Sequence, residues 1–186
     1  MIEIRSLHIP DEHLLSDLIT GYTSTARYEV SKVESPEYTR IELQLIQLEQ
    51  PFVKRYTHLD AATVQRYQDI AALGSSFAAF ADERCVGIAL AEPQTWNRSL
   101  LVHEFHVAAE FQSQGLGRLL MEAIVEHTRA LGMRGIVCET QTTNVPAIGF
   151  YRAMGFTLDG IDLSLYTNHD RESGEVAVFM KSALDE

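Results

Sequence analysis

The segment Val107-Ala-Ala-Glu-Phe-Gln-Ser-Gln-Gly-Leu-Gly-Arg-Leu-Leu120 is where the residue types most directly suggest chemistry. A strand ends, a loop carries Gly115 and Gly117, and a helix starts. Glycines let a backbone turn sharply and approach a ligand closely. The free N–H groups of a helix's first turn, at its positive dipole end, suit a phosphate or pyrophosphate. A plain strand-to-helix turn would use the same residues, so the glycines alone leave both readings open. Other motifs fail on detail. A P-loop needs Gly-Lys-Ser/Thr, and Gly117 is followed by Arg118. A dinucleotide fingerprint needs a third glycine, where Leu120 stands. The nucleophile elbow G-x-S-x-G is nearly present around Ser113, but its first position is Phe111. His103-Glu-Phe-His106 resembles a zinc motif with its second histidine one residue early, and on a strand the two would point to opposite faces.

The elements around that loop read as mixed α/β. Met1 to His8 alternates as an early strand would, and Pro10-Asp11 opens a helical stretch to about Thr20. Gly21 to Tyr56 gives no clear pattern, except that Ile41-Glu-Leu-Gln-Leu-Ile-Gln-Leu48 alternates like a strand. Asp60 to Leu73 reads as a helix stopped by Gly74. Phe77 to Ala81 and Cys85 to Glu92 form a hairpin around Asp82-Glu-Arg84, and Ser99 to Val107 is the next strand. Leu116 to Leu131 is amphipathic and closed by Gly132. Ile136 to Thr140 is a short strand, and Pro146 to Met154 a short helix ended by Gly155. Asp162 to Tyr166 and Glu175 to Lys181 complete the pattern as a strand pair. Strand–helix–strand at this spacing implies a crossover and parallel neighbours, hence a mixed central sheet with helices on both faces.

The 186 residues suit one domain. Apolar residues make up 46% and charged residues 22%, the balance of a globular chain rather than a disordered one. With 15 Lys and Arg against 26 Asp and Glu, the formal charge is −11. That disfavours binding to nucleic-acid phosphates and permits cationic ligands. The N-terminus lacks a signal-peptide pattern, and no apolar stretch approaches the ~20 residues of a spanning helix, so no membrane partner and a cytoplasmic location are expected. Cys85 and Cys138 read as free thiols of a reducing compartment, and no metal is expected.

Gln112-Ser-Gln-Gly115-Leu-Gly117 matches Q/R-x-x-G-x-G/A, and with it the chain resembles the GNAT N-acetyltransferase superfamily. The preceding strand Phe105-His-Val107, Asn144 after the next strand, Tyr151 on the following helix and Gly155-Phe156 also fit. This resemblance covers about 77–181 and implies the GNAT acyl-CoA N-acyltransferase fold (α/β, α+β in some schemes) as a single domain over 1–186. Residues 1–76 would then add the first strand and substrate-side helices. A narrower similarity, to streptothricin acetyltransferases, lies in Gly21-Tyr-Thr23, Tyr28-Glu-Val-Ser-Lys32, Pro51-Phe-Val-Lys-Arg55, Glu139-Thr-Gln-Thr-Thr-Asn-Val-Pro146 and Gly160-Ile-Asp-Leu163. Such enzymes inactivate a cationic antibiotic by acetylating an amine.

The resemblance implies acetyl-CoA as co-substrate. Gln112, Ser113, Gln114, Gly115, Leu116, Gly117 and Arg118 would hold its pyrophosphate through backbone N–H groups. The main chain of Phe105, His106 and Val107 would pair with the pantetheine arm, and Asn144 would contact the cofactor. Gln114 stands where a basic residue is common in the family, and Arg118 is the substitute source of charge. Tyr151 would protonate the departing thiolate. The amine must lose a proton, and strand parity offers two carboxylates for it. Glu104 shares a face with Val102 and His106, opposite His103 and Phe105. Glu139 shares one with Val137 and Gln141. One of the two could equally bind the cationic substrate. Aromatics and carboxylates that suit an ammonium group are Tyr22, Tyr28, Glu29, Asp162 and Tyr166. Other amine acceptors (a polyamine, an aminoglycoside, a protein N-terminus or lysine) and a non-catalytic acetyl-CoA-binding sensor stand as alternatives. A homodimer is the default assembly.

Overall fold

The structure is a computed structural model that describes residues 1–56 and 59–184. In chain order its elements are β1 (Ile2–Ser6), α1 (Glu12–Leu18), β2 (Gly21–Glu34), β3 (Thr39–Arg55), α2 (Ala61–Ala72), β4 (Phe77–Ala81), β5 (Arg84–Gln94), β6 (Ser99–Val107), a short 3-10 turn (Ala109–Phe111), α3 (Leu116–Ala130), β7 (Gly135–Gln141), α4 (Val145–Ala153), β8 (Thr157–Asp162), α5 (Asp170–Ser173) and β9 (Ala177–Ala183). Seven strands form one mixed sheet in the order β1-β4-β5-β6-β7-β9-β8, and β2 pairs with β3. Among the described residues no helix is long and apolar enough to cross a membrane. By internal contacts the chain forms two compact units.

The first unit holds residues 1–20, 56–138 and the chain from 181 on. Its strands β1, β4, β5 and β6 pair antiparallel in turn, and β6 then pairs parallel with β7. The run Val86–Ala91 of β5 is wholly buried, which requires cover on both faces. Leu15 and Leu18 of α1, Tyr67 and Ile70 of α2, and Leu116 of α3 share a buried cluster with Val86, Ile88 and Leu90. A Cβ at Gly87 would lie 3.1 Å from both the His106 carbonyl and a Leu116 methyl. Glycine there lets β5, β6 and the start of α3 approach closely. The helix α3 keeps Leu116, Leu120, Met121 and Ile124 buried, each worth about 1.5–3 kcal/mol of apolar burial.

Two irregularities in β6 shape the site. Its ladder with β7 runs only from Ser99↔Gly135 to Val102↔Cys138. On the other side the register jumps from Leu90↔Glu104 to Ala91↔Val102, so His103 is an extra residue, a β-bulge.

The second unit holds residues 21–55 and 139–180. Its hairpin β2–β3 is the segment that gave no clear pattern. Ser24↔Phe52 is followed by Ala26↔Gln47, so residues 48–51 oppose Thr25 alone. Pro51 sits in that stretch without an N–H to donate. The expected final strand at Asp162–Tyr166 is corrected: the strand is β8, starting two residues after Gly155. Beyond it the amides are held by side chains, not by a ladder. The Asp162 carboxylate accepts from the Ser164 N–H (3.0 Å), and that of Asp170 from the N–H groups of Tyr166 (2.8 Å) and Thr167 (2.7 Å).

Candidate active site

In the first unit the glycine loop follows the end of β6. Ser113 (φ 58°) and Gly115 (φ 85°) are both left-handed, which turns the chain sharply into α3. The Gln112 side chain donates to the Val107 carbonyl (2.9 Å) and that of Gln114 to the Glu110 carbonyl (2.5 Å), tying the loop to itself. Among the described residues, three helices have an oxygen-bearing side chain over their first turn: Asp11 accepts from Leu14 N–H, Asp60 from Thr63 N–H, and Asn144 from Ala147 N–H. The start of α3 has Gly115 and no side-chain cap. No side-chain oxygen covers the first-turn amides from Leu116 to Arg118, and the helix dipole stands behind them, which suits an anion. Gln112 to Gly115 are exposed and Gly117 half-exposed. Arg118, expected to supply charge, donates to Glu122 one turn on (2.8 Å), on the exposed helix face.

Glu104 stands just past the bulge with both carboxylate oxygens engaged. Oε1 accepts from the Tyr67 hydroxyl of α2, and Oε2 lies 2.7 Å from His106 Nε2. Glu104 and His106 thus share a face, as parity predicts, and both side chains are largely buried. His103 does not point away as a regular strand requires. The bulge lets it reach the same helix, with Nδ1 3.5 Å from Arg66 Nη2 and Nε2 2.7 Å from Glu92 Oε2. Tyr67 is buried, and its phenol is pushed well above the ordinary tyrosine value, first by burial and then by the Glu104 charge. Nothing in the sequence marked Tyr67, because its apolar spacing on α2 reads as core. Phe105, His106 and Val107 lie opposite Ala89, Ile88 and Gly87 on β5, beyond the point where the β7 ladder stops.

In the second unit Glu139 and Gln141 project together from the end of β7. The Tyr166 hydroxyl donates to Glu139 and accepts from Gln141 Nε2 (3.0 Å). Desolvation and then the bond to Glu139 raise the Tyr166 phenol far above its usual value. Tyr22 bonds the Thr143 hydroxyl (2.7 Å) and is pushed up to about 12 by burial, with Glu175 and Glu139 adding and Thr143 opposing. Tyr28 is buried, and its hydroxyl accepts from Arg152 Nη1 (2.6 Å), so it clasps α4 to β2. Glu29 is exposed, 3.8 Å from Arg27 Nη2. Asp162 is occupied in the turn after β8. Asn144 caps α4 through Oδ1. Tyr151, on the same helix, is 6% exposed, its ring 5.5 Å from Phe150 and 5.6 Å from Phe156.

A mixed seven-stranded sheet carries a crossover helix whose glycine-turned start follows a bulged strand. Residues 41–156 match the acetyltransferase (GNAT) family, and the chain belongs to it. It is 35% identical over 100 residues to a streptothricin acetyltransferase of Streptomyces lavendulae, across 54% of this chain and 52% of that one. The chain thus spans about half the length of that relative. Among solved structures it is similar to nourseothricin acetyltransferase, with a TM-score of 0.78, 27% identity and 99% of both chains covered. A Bacillus anthracis protein solved with acetyl coenzyme A shares the fold, with a TM-score of 0.75, 22% identity, and 99% and 100% of the two chains covered.

Proposed function

We propose that the protein is an acetyl-CoA-dependent N-acetyltransferase of one catalytic domain, acting on a primary amine of a cationic small molecule, streptothricin first among them. The observation that carries this reading is the uncapped start of α3 behind left-handed Ser113 and Gly115. It suits the pyrophosphate of a CoA carrier, held by backbone N–H groups from Gln112 to Arg118. Family membership and the streptothricin and nourseothricin acetyltransferases among the relatives support the acetyl group and the amine.

The roles follow from the chemistry. Phe105 to Val107 offer main-chain groups to the amides of the pantetheine arm. Glu104 takes the proton the ammonium must lose before nitrogen attacks the thioester carbon. As the new C–N bond forms and the C–S bond breaks, Tyr151 gives its proton to the thiolate. Glu139, with Tyr166 and Gln141, holds a second ammonium of the acceptor, and Tyr22, Glu29 and Asp162 add polar and aromatic surface on the acceptor side. Cysteine is an unsuitable acyl carrier here. Cys138 is buried, and burial raises the Cys85 thiol, whose Sγ faces the Gly87 carbonyl at 3.5 Å. The transfer is therefore direct, within a ternary complex.

Thiol release from acetyl-CoA tests this, with streptothricin and then polyamines, aminoglycosides and lysine peptides as acceptors. Saturable release with streptothricin, and a mass gain of one acetyl group on the drug, is the expected result. Release with another amine alone would keep the chemistry and replace the acceptor. Acetyl-CoA binding without release from any acceptor would make the protein a sensor.

A further inference from the structure

We propose that Tyr67 is a positioning residue for the catalytic base, fixing Glu104 on the bulged strand from α2; this rests on the reading of Glu104 as base. A bulge loosens the ladder where it occurs, so the residues beside it need another anchor. Here two consecutive residues of one helix supply it. Arg66 reaches His103, the extra residue, and Tyr67 reaches Glu104, the next one. Arg66 can only donate, so His103 Nδ1 accepts and its Nε2–H donates to Glu92 on β5. The bulge is thereby pinned from a helix on one side and from a neighbouring strand on the other.

The pinning defines what Glu104 can do. One oxygen receives the Tyr67 O–H and the other faces His106 Nε2, so the carboxylate is held in one orientation with lone pairs left for an incoming proton. A donor aimed at a carboxylate stabilises its charged form. The Tyr67 hydroxyl is such a donor. The titratable and charged groups around it are Tyr67 and Arg66 of α2, His103 and His106 of β6, Glu92 of β5, and Tyr56 ahead of α2.

The test is the pH profile of kcat for Tyr67→Phe, which removes the hydroxyl and keeps the ring. The acidic limb should move up by about one pH unit, with kcat below the limb about tenfold lower and the plateau changed only a few-fold. The KM for acetyl-CoA should stay the same. A limb that superimposes on the parent's overturns the positioning role. Glu104→Gln separates the two readings. If it retains the limb and the turnover, Glu104 is not the base and the proposal falls with it. If it loses them while Tyr67→Phe is unmoved, only the role of Tyr67 falls. NMR of 13C-labelled tyrosine covers the case of a Tyr67→Phe chain that does not fold. The Tyr67 ring should titrate at lower pH in Glu104→Gln than in the parent, and identical titrations would refute the coupling.

Discussion

Tyr151 combines a packing ring with the hydroxyl proposed as the acid, and the two are separable by substitution. Tyr151→Phe keeps the contacts with Phe150 and Phe156 and removes only the hydroxyl. Turnover should fall by about 10²–10⁴ while calorimetry shows acetyl-CoA affinity within a few-fold of the parent. Unchanged turnover across the pH range would remove Tyr151 from the chemistry. Glu139→Gln should act differently, raising the KM for a cationic acceptor more than it lowers kcat. At this scale the sequence is uneven in what it reveals. Glu104 and Glu139 emerge from strand parity, because side-chain alternation is local. Tyr67 does not, because its partner lies 37 residues away and its own spacing is that of any core aromatic. Tyr28 looks like a ligand residue from its type alone, and the fold uses it to clasp Arg152.

At the scale of elements, a helix start is defined by what covers its amides. Gly117→Val places a branched side chain in the first turn of α3, among the N–H groups assigned to the pyrophosphate. Acetyl-CoA binding should be lost while the circular dichroism spectrum is kept, and retained affinity would contradict the assignment. The loop after β8 is held by the Asp170 carboxylate. Burial raises its proton affinity, but the Thr167 hydroxyl and the N–H groups of Tyr166 and Thr167 outweigh it and hold the carboxyl below its ordinary value. Its contribution to stability is therefore complete above about 3.9, the unfolded value, and is lost as pH falls through the lower folded value. Asp170→Asn should lower Tm at neutral pH, and the gap from the parent should close in strong acid. A gap that persists unchanged in strong acid would mean that the ionised carboxylate is not its source. The helix α3, with one buried face and a closing glycine, and the strands β4 to β6, apolar runs bounded by polar turns, are legible to within a residue or two. The hairpin β2–β3 is not, because both faces of β3 are partly exposed and the irregularity beside Pro51 breaks its alternation. The bulge at His103 is equally hidden, since an extra residue leaves no mark on composition.

Across the whole molecule, charge and core act without regard to any single site. A formal charge of −11 raises the local concentration of polycationic acceptors and repels polyanions. Raising ionic strength from low to physiological should therefore lower kcat/KM for a multiply charged amine more than for a singly charged one. Equal salt responses would show that the acceptor meets only local charges. The core was readable as a set of apolar stripes. The division into two compact units was not, because contacts between distant segments decide it. The bare amides at the start of α3 carry one more consequence. Side-chain caps are worth about 1 kcal/mol each, and this helix lacks one. An anion seated there would complete the helix, so the concentration of such a ligand would enter the folding equilibrium and add RT ln(1 + [L]/Kd) to it. If the proposed acetyl-CoA is that anion, a cell short of it would hold a larger unfolded fraction of the protein, open to proteolysis. Metabolic supply would then govern how long each copy survives as well as how fast it works.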